Sequence, residues 1–299
     1  MLVQTLKNKI IPPAIVTIGN FDGVHLGHQK IIEKTLELSR AHSLQPVLMT
    51  FEPYPHEFFK PELRVARIMN LREKVNFIRK HYFNDVVVLK FNRLFSQLSA
   101  EDFIEKFLIK KLNTKHVVIG EDFHFGFQRL GDASSLQHYF PVEIVKPVIR
   151  EEQRVSSTWL RKILSRADFD SAKKLLGHDY SLMGKVIKGQ QRGRLLGFPT
   201  ANIALNRRVP PFMGVYAVKV NHSLKGIANL GIRPTVNHDK KIFLEVNLFD
   251  VEEDLYGQWL EVTFCCKIRD EKRFDSLDAL KEQIHQDVIK AREFFEQKD

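Results

Sequence analysis

The chain has 299 residues, 43% hydrophobic and 27% charged, the make-up of a globular protein divisible into two domains of roughly 100–200 residues. No apolar run approaches the roughly 18–20 residues that cross a bilayer, and the start MLVQTLKNKIIPPAIV lacks a secretory core with a cleavage site. A cytoplasmic location without a membrane partner is therefore expected. The net charge of +10 suits small polyanions; its basic pairs Lys110-Lys111, Arg207-Arg208 and Lys240-Lys241 are too scattered for a nucleic-acid partner.

In chain order, Ala14–Gly19, Pro46–Phe51, Asp85–Leu89, His116–Gly120 and Val142–Val145 are short β-branched runs expected as strands. Between them Gln29–Ala41, Leu71–His81 and Ala100–Leu112 carry apolar residues at helical spacing, with Phe103, Phe107 and Leu108 on one face. Strands separated by helices predict a parallel sheet with crossovers, an open α/β domain whose ligands sit at the carboxyl ends of the strands.

Past residue 180 the pattern changes. Met183–Ile187, Gly214–Val220, Lys225–Leu230, Ile242–Phe249 and Trp259–Cys266 are expected as strands without helices between them, hence a small antiparallel β-barrel. Alternation puts Phe243, Glu245 and Asn247 on one face of their strand and Leu244, Val246 and Leu248 on the other. A closing helix over Ser276–Glu296 aligns Leu277, Leu280, Ile284, Val288, Ala291 and Phe295. The expected domains are residues 1–182 and 183–299. The adjacent Cys265 and Cys266 should point to opposite faces of a strand, which suits neither a disulfide nor a metal pair.

The segment Gly19-Asn-Phe21-Asp-Gly-Val-His25-Leu-Gly27-His28 follows the first expected strand and opens the first helix. A helix N-terminus favours an anion, and Gly27 lets backbone approach it closely. In isolation, His25 and His28 read better as surface or metal-free structural histidines. A second segment, Arg154-Val-Ser-Ser157-Thr158-Trp-Leu-Arg161, opens another expected helix, where hydroxyls are commonly N-caps and flanking arginines can clamp phosphate charge. H-x-G-H at a strand-to-helix turn, followed later by V-S-S-T-x-x-R, resembles the Rossmann-like nucleotidylyltransferase superfamily. The segments Thr50-Phe51-Glu-Pro53-Tyr-Pro55 and Gly120-Glu-Asp122-Phe123-His-Phe125-Gly126 resemble the flavin side of its FAD synthetase module. No G-x-x-x-x-G-K-[ST] occurs, which excludes a P-loop.

In the second half, Gly184 to Gly197 contains four glycines, and G-R-x-L-G-F-P-T-A-N through Asn202 resembles the riboflavin kinase module. Further matches follow in Gly226–Thr235, Leu244–Asp250 and Ile268–Phe274. From about residue 14 to 292 the chain resembles the bacterial bifunctional riboflavin kinase/FMN adenylyltransferase (FAD synthetase) family.

The resemblance implies a transferase that phosphorylates riboflavin with ATP to FMN and ADP, then adenylylates FMN with ATP to FAD and pyrophosphate. It makes Glu245 the base on the riboflavin hydroxyl and gives His28 and Arg161 catalytic roles at the other site. ATP phosphates would be bound by Gly19, Phe21, His25, Gly27, His28, Arg154, Ser157, Thr158 and Arg161, and, for the kinase, by Gly189, Gly193, Arg194, Gly197 and Thr200. Flavin would be held by Pro53, Pro55, Asp122, Phe123, Phe125, Arg269 and Phe274, and Mg²⁺ by Thr200 and Asn202, both hard oxygen donors. Two positions depart from the family pattern: Asp122, where some relatives carry Asn, and Asn247, where relatives often carry His. Val236–Lys241 is expected as a loop over the flavin. Two other readings stay open: a chain keeping one activity only, and a non-catalytic flavin- or RNA-binding regulator. The latter requires degraded catalytic positions or a long basic face, and neither is found.

Overall fold

The computed structural model describes residues 12–63, 65–188, 198–205, 207, 209–234, 240–251 and 254–298. They form two compact units, one running to Val65 and resuming over Leu71–Ser157, the other made of Ala66–Asn70 and the chain from Thr158 onward.

In the first unit, strands β1 (Ala14–Ile18), β2 (Gln45–Glu52), β3 (Val86–Lys90), β4 (Thr114–Gly120) and β5 (Val142–Val145) form a parallel sheet of order β3-β2-β1-β4-β5. Central β1 is buried at every position, which is why AIVTI is almost uninterruptedly apolar. Helices α1 (Leu26–His42), α2 (Pro55–Phe59), α3 (Leu71–His81), α4 (Arg93–Ser96), α5 (Ala100–Phe103) and α6 (Ala133–Gln137) lie between the strands. The strand order reverses between β1 and β4, so the crevice at their carboxyl ends is the switch point at which such sheets bind ligands.

The helix expected over Ala100–Leu112 begins as α5, capped by Ser99, but continues as a π-helix over Ile104–Ile109. Its wider turns bond the N–H of Lys110 to Glu105 and of Leu112 to Phe107. This winding buries Phe103, Ile104 and Leu108 while Phe103 and Phe107 stack with ring centres 5.8 Å apart. A two-residue hairpin, β6 (Ile149–Arg150) with β7 (Gln153–Arg154), was not expected; strands this short carry no readable apolar period.

In the second unit, helices α7 (Ser157–Ser165, its first residue still in the first unit) and α8 (Phe169–Leu176) precede a closed barrel. Its strands are β8 (Ser181–Ile187), β9 (Ala201–Ala204), β10 (Gly214–Val220), β11 (Leu224–Pro234), β12 (Lys240–Leu248) and β13 (Trp259–Arg269), ordered β10-β11-β12-β9-β8-β13 with antiparallel neighbours. Leu244 and Val246 are buried while Phe243 and Glu245 are half-buried on the other face, as alternation requires. Residues 236–239 of the expected flavin loop lie outside the described residues, and Lys240 and Lys241 instead open β12.

Helix α9 (Leu277–Glu296) is capped by the Ser276 hydroxyl, which accepts from the Ala279 N–H at 3.1 Å. Its Val288, Ala291 and Phe295 pack on Val215, Ala217 and Ile227 of the barrel. Leu277 is 70% exposed, so the expected apolar face begins only after the first turn. The cysteines also depart from expectation. Ala217 pairs with Cys266 and Val218 with Phe264, which leaves Cys265 as the extra residue of a bulge. The bulge breaks the alternation, and both free, half-buried thiols pack against the same apolar cluster. Burial pushes both thiols above their usual pKa, so they lack the character of reactive cysteines.

Candidate functional site

The loop from Gly19 to His25 leaves the end of β1 and turns sharply into α1. Phe21, Gly23 and Val24 all have left-handed backbone, with φ of 49°, 84° and 42°. A β-branched residue there is strained, and such strain concentrates where a loop must hold one shape for a ligand. His25 is the residue at the helix N-cap, and its ring stacks on His28 with centres 3.7 Å apart. Gly27 allows this stacking, because a Cβ would stand 3.2 Å from the His25 ring and 3.5 Å from the Val155 carbonyl. Burial, with His25, Lys74 and Arg154 nearby, holds the His28 imidazole well below its usual value of 6.5. The Nδ1 atom of His28 is shut from solvent without a hydrogen-bond partner among the described residues.

The second motif folds back onto this loop. The Ser157 hydroxyl donates to the Asp22 carbonyl at 2.9 Å, joining residues 135 positions apart. Arg154 ends the β6–β7 hairpin and pairs with Asp122 at 2.8 Å. Burial raises the Asp122 carboxyl, but the hydrogen bond and charge of Arg154 outweigh it and leave the group below the usual carboxylate range. Asp122 follows β4, so Gly19–His28, Asp122, Arg154 and Ser157 gather where the sheet order reverses. Thr158 and Arg161 belong to the second unit, where Thr158 is exposed and the Arg161 Nε donates to the Ala66 carbonyl at 2.8 Å.

On the flavin side, Pro53 and Pro55 are half-buried just past β2, with Pro55 opening α2 and the Tyr54 N–H bonded to Glu57 at 3.0 Å. Phe123 and Phe125 stack with centres 5.5 Å apart. Phe125 is a core residue, closed in by Phe103 and Gly131, whereas Phe123 stays half-buried.

In the barrel, Glu245 of β12 lies directly opposite Asn202 of β9 on one side and Asn229 of β11 on the other. Opposed residues share a face, so the carboxylate stands between two amides. Thr200, two residues ahead of Asn202, is half-buried, and its segment is anchored by Asn247, whose Nδ2 donates to the Pro199 carbonyl at 2.7 Å. The Asn247 amide therefore supports the Pro-Thr-Ala-Asn run. Arg269 ends β13 and sits over the Phe274 ring at 5.7 Å. Gly231 leaves room for neighbours, since a Cβ there would stand 2.7 Å from the Phe243 ring. Gly189, Gly193, Arg194 and Gly197 lie outside the described residues.

Residues 7–159 match the FAD synthetase family and residues 176–295 the Riboflavin kinase family. The bifunctional riboflavin kinase/FMN adenylyltransferase of Haemophilus influenzae is 43% identical, covering 96% of both chains. The protein of the same description from Pseudomonas fluorescens is 44% identical, covering 93% of this chain and 92% of its own. The chain belongs to the bifunctional riboflavin kinase/FMN adenylyltransferase family. It is a transferase with both halves of that family in order. A crystal structure from Streptococcus pneumoniae described as a macrolide-efflux protein is 32% identical with a TM-score of 0.78, covering 96% of both chains. Among the described residues here, no helix is long and apolar enough to cross a membrane.

Three polar residues of this family member escaped the sequence reading. Lys74 is fully buried in α3 and Asp287 is 2% exposed in α9, both inside amphipathic patterns that assign charged residues to solvent. Asp287 accepts two bonds from the Arg269 Nε, at 3.0 and 2.8 Å, and pairs with its Nη2 at 2.8 Å, thereby orienting the residue expected to hold flavin. Asn229 has a side-chain oxygen shut from solvent without a hydrogen-bond partner among the described residues. Strand register was the only signal for it, and register cannot be read before the sheet is built.

Proposed function

We propose that this chain makes FMN from riboflavin in its barrel and FAD from FMN at the parallel-sheet switch point, using ATP in both steps. The functional boundary is placed at residues 182/183, within the first barrel strand, β8. The observation that carries this reading is that each fold gathers its own polar cluster from segments distant in the chain: Asp22 with Ser157, and Asn202 with Glu245.

In the barrel, Glu245 takes the proton from the riboflavin 5′-hydroxyl as its oxygen attacks the γ-phosphorus and ADP leaves. A primary alcohol needs that base. Thr200 and Asn202 are hard donors without a carboxylate cage, a set that fits Mg²⁺ held largely by nucleotide phosphates. Bound there, Mg²⁺ would neutralise phosphate charge. The glycine-rich Gly189–Gly197 segment and Thr200 receive the phosphates, while Arg269 and Phe274 hold the flavin.

In the first unit, an FMN phosphate oxygen attacks the α-phosphorus of ATP and the bond to pyrophosphate breaks. That nucleophile is already ionised, so the work is positioning and charge stabilisation. His25, His28, Arg154 and Ser157 serve there, and Pro53, Pro55, Asp122 and Phe123 border the flavin; Thr158 and Arg161, next in the motif, belong to the second unit. Phe125 supports that wall from the core. These reactions belong to the cytoplasm, where ATP is plentiful and the free Cys265 and Cys266 stay reduced.

The test is a time course with riboflavin, ATP and Mg²⁺, separating the flavins by chromatography. FMN should appear first and FAD after it; an unchanged flavin pool would overturn the reading.

A further inference from the structure

Lys74 projects from α3 into the base of the first-unit site and is 0% exposed. Its Nζ donates to the Asn20 carbonyl at 2.7 Å, to the Thr50 hydroxyl at 2.8 Å and to the Tyr54 hydroxyl at 3.4 Å, and stands 4.7 Å from the Tyr54 ring centre. Three oxygens around one nitrogen match the three hydrogens that an ammonium can donate. The Thr50 hydroxyl in turn donates to Asn20 at 3.3 Å, closing a triangle of bonds. Burying an amino group is costly unless such partners are supplied, so the site is built around it.

These partners belong to two different substrate segments. Asn20 lies in the strained loop that leads to His25 and His28, and Thr50 and Tyr54 bracket Pro53 on the flavin side. We propose that Lys74 is a positioning residue for FMN adenylylation, which ties the nucleotide loop to the flavin-side segment so that the two phosphates meet in line. Being fully buried, it touches neither substrate and acts through Asn20 and Thr50. This rests on the assignment of ATP to the Gly19–His28 loop. The charge of Lys74 also bears on the His28 imidazole.

Steady-state kinetics of Lys74→Met test the proposal, with riboflavin phosphorylation by the same protein as internal control. Met keeps the length of the side chain and loses its hydrogen bonds and charge. The expected result is a KM for ATP raised at least tenfold in FAD formation together with a lower kcat, while FMN formation stays within twofold. Lys74→Gln, which keeps two donors, should recover part of the loss. If Lys74→Met does not fold, Thr50→Val removes one acceptor and should raise the KM for ATP in the same direction by a smaller factor. Parameters for FAD formation within twofold of the parent, a fall in kcat with unchanged KM, or a parallel loss of both activities would each overturn the proposal. Failure of the ATP assignment is distinguishable, since His28→Ala would then leave FAD formation and its KM for ATP unchanged.

Discussion

The Ser157 hydroxyl donates to the carbonyl of Asp22, 2.9 Å away, and so ties the chain just past the β6–β7 hairpin to the loop that carries His25. One such bond is worth about 1 kcal/mol to the fold, yet it sets the position of the loop against the hairpin bearing Arg154. Ser157→Ala should therefore lower stability slightly and FAD formation by at least tenfold. Urea unfolding alongside FAD assays checks this, with FMN formation expected to stay near the parent rate.

The depressed pKa of His28 has a direction that can be measured. Between its folded value and 6.5 the unfolded chain holds a proton that the folded imidazole does not, so this contribution to stability is full above 6.5 and is lost as pH falls through that window. A bound polyphosphate stabilises the protonated ring and should raise the value again. An NMR titration of the His28 ring, with and without a non-hydrolysable ATP analogue, should show the upward shift. His28→Ala should stop FAD formation while FMN accumulates.

Glu245 stands between Asn202 and Asn229 on the open face of β12, with no other carboxylate at the paired positions. General-base catalysis contributes about 10²–10⁴-fold, so Glu245→Gln should lower FMN formation by at least about a hundredfold. FAD synthesis from supplied FMN should persist. A near-parental kinase rate would remove Glu245 from the mechanism.

Arg269 and Asp287 form a pair whose acid is 2% exposed. Removing one partner of a buried pair costs about 3–5 kcal/mol, because the other charge is left without compensation. Asp287→Ala should lower the urea midpoint of the barrel and raise the KM for riboflavin through the loss of Arg269 orientation. Restored riboflavin affinity in Asp287→Glu would separate orientation from general instability.

Much of this was legible before any coordinates. The strands of the first sheet carry β-branched runs, the barrel strands alternate, and H-x-G-H with the later Ser-Ser-Thr run carries the resemblance to the family. What went unread was short or geometrical. Strand β9 has four residues, too few for a period, although it carries Asn202. The π-winding after Phe103 and the bulge at Cys265 change which way side chains point without any marker in the composition.

The amino-acid order alone determined most strands of both sheets and the long helices α1, α3 and α9, because helix and strand periods and turn residues act over a few neighbours. Tertiary structure alone decided that Ser157 meets Asp22, that Asn229 and Asn202 flank Glu245, and that Lys74 and Asp287 are buried. Those are contacts between segments far apart in the chain. They depend on sheet order, strand register and the requirement that every enclosed charge find a partner, which no short window of sequence contains.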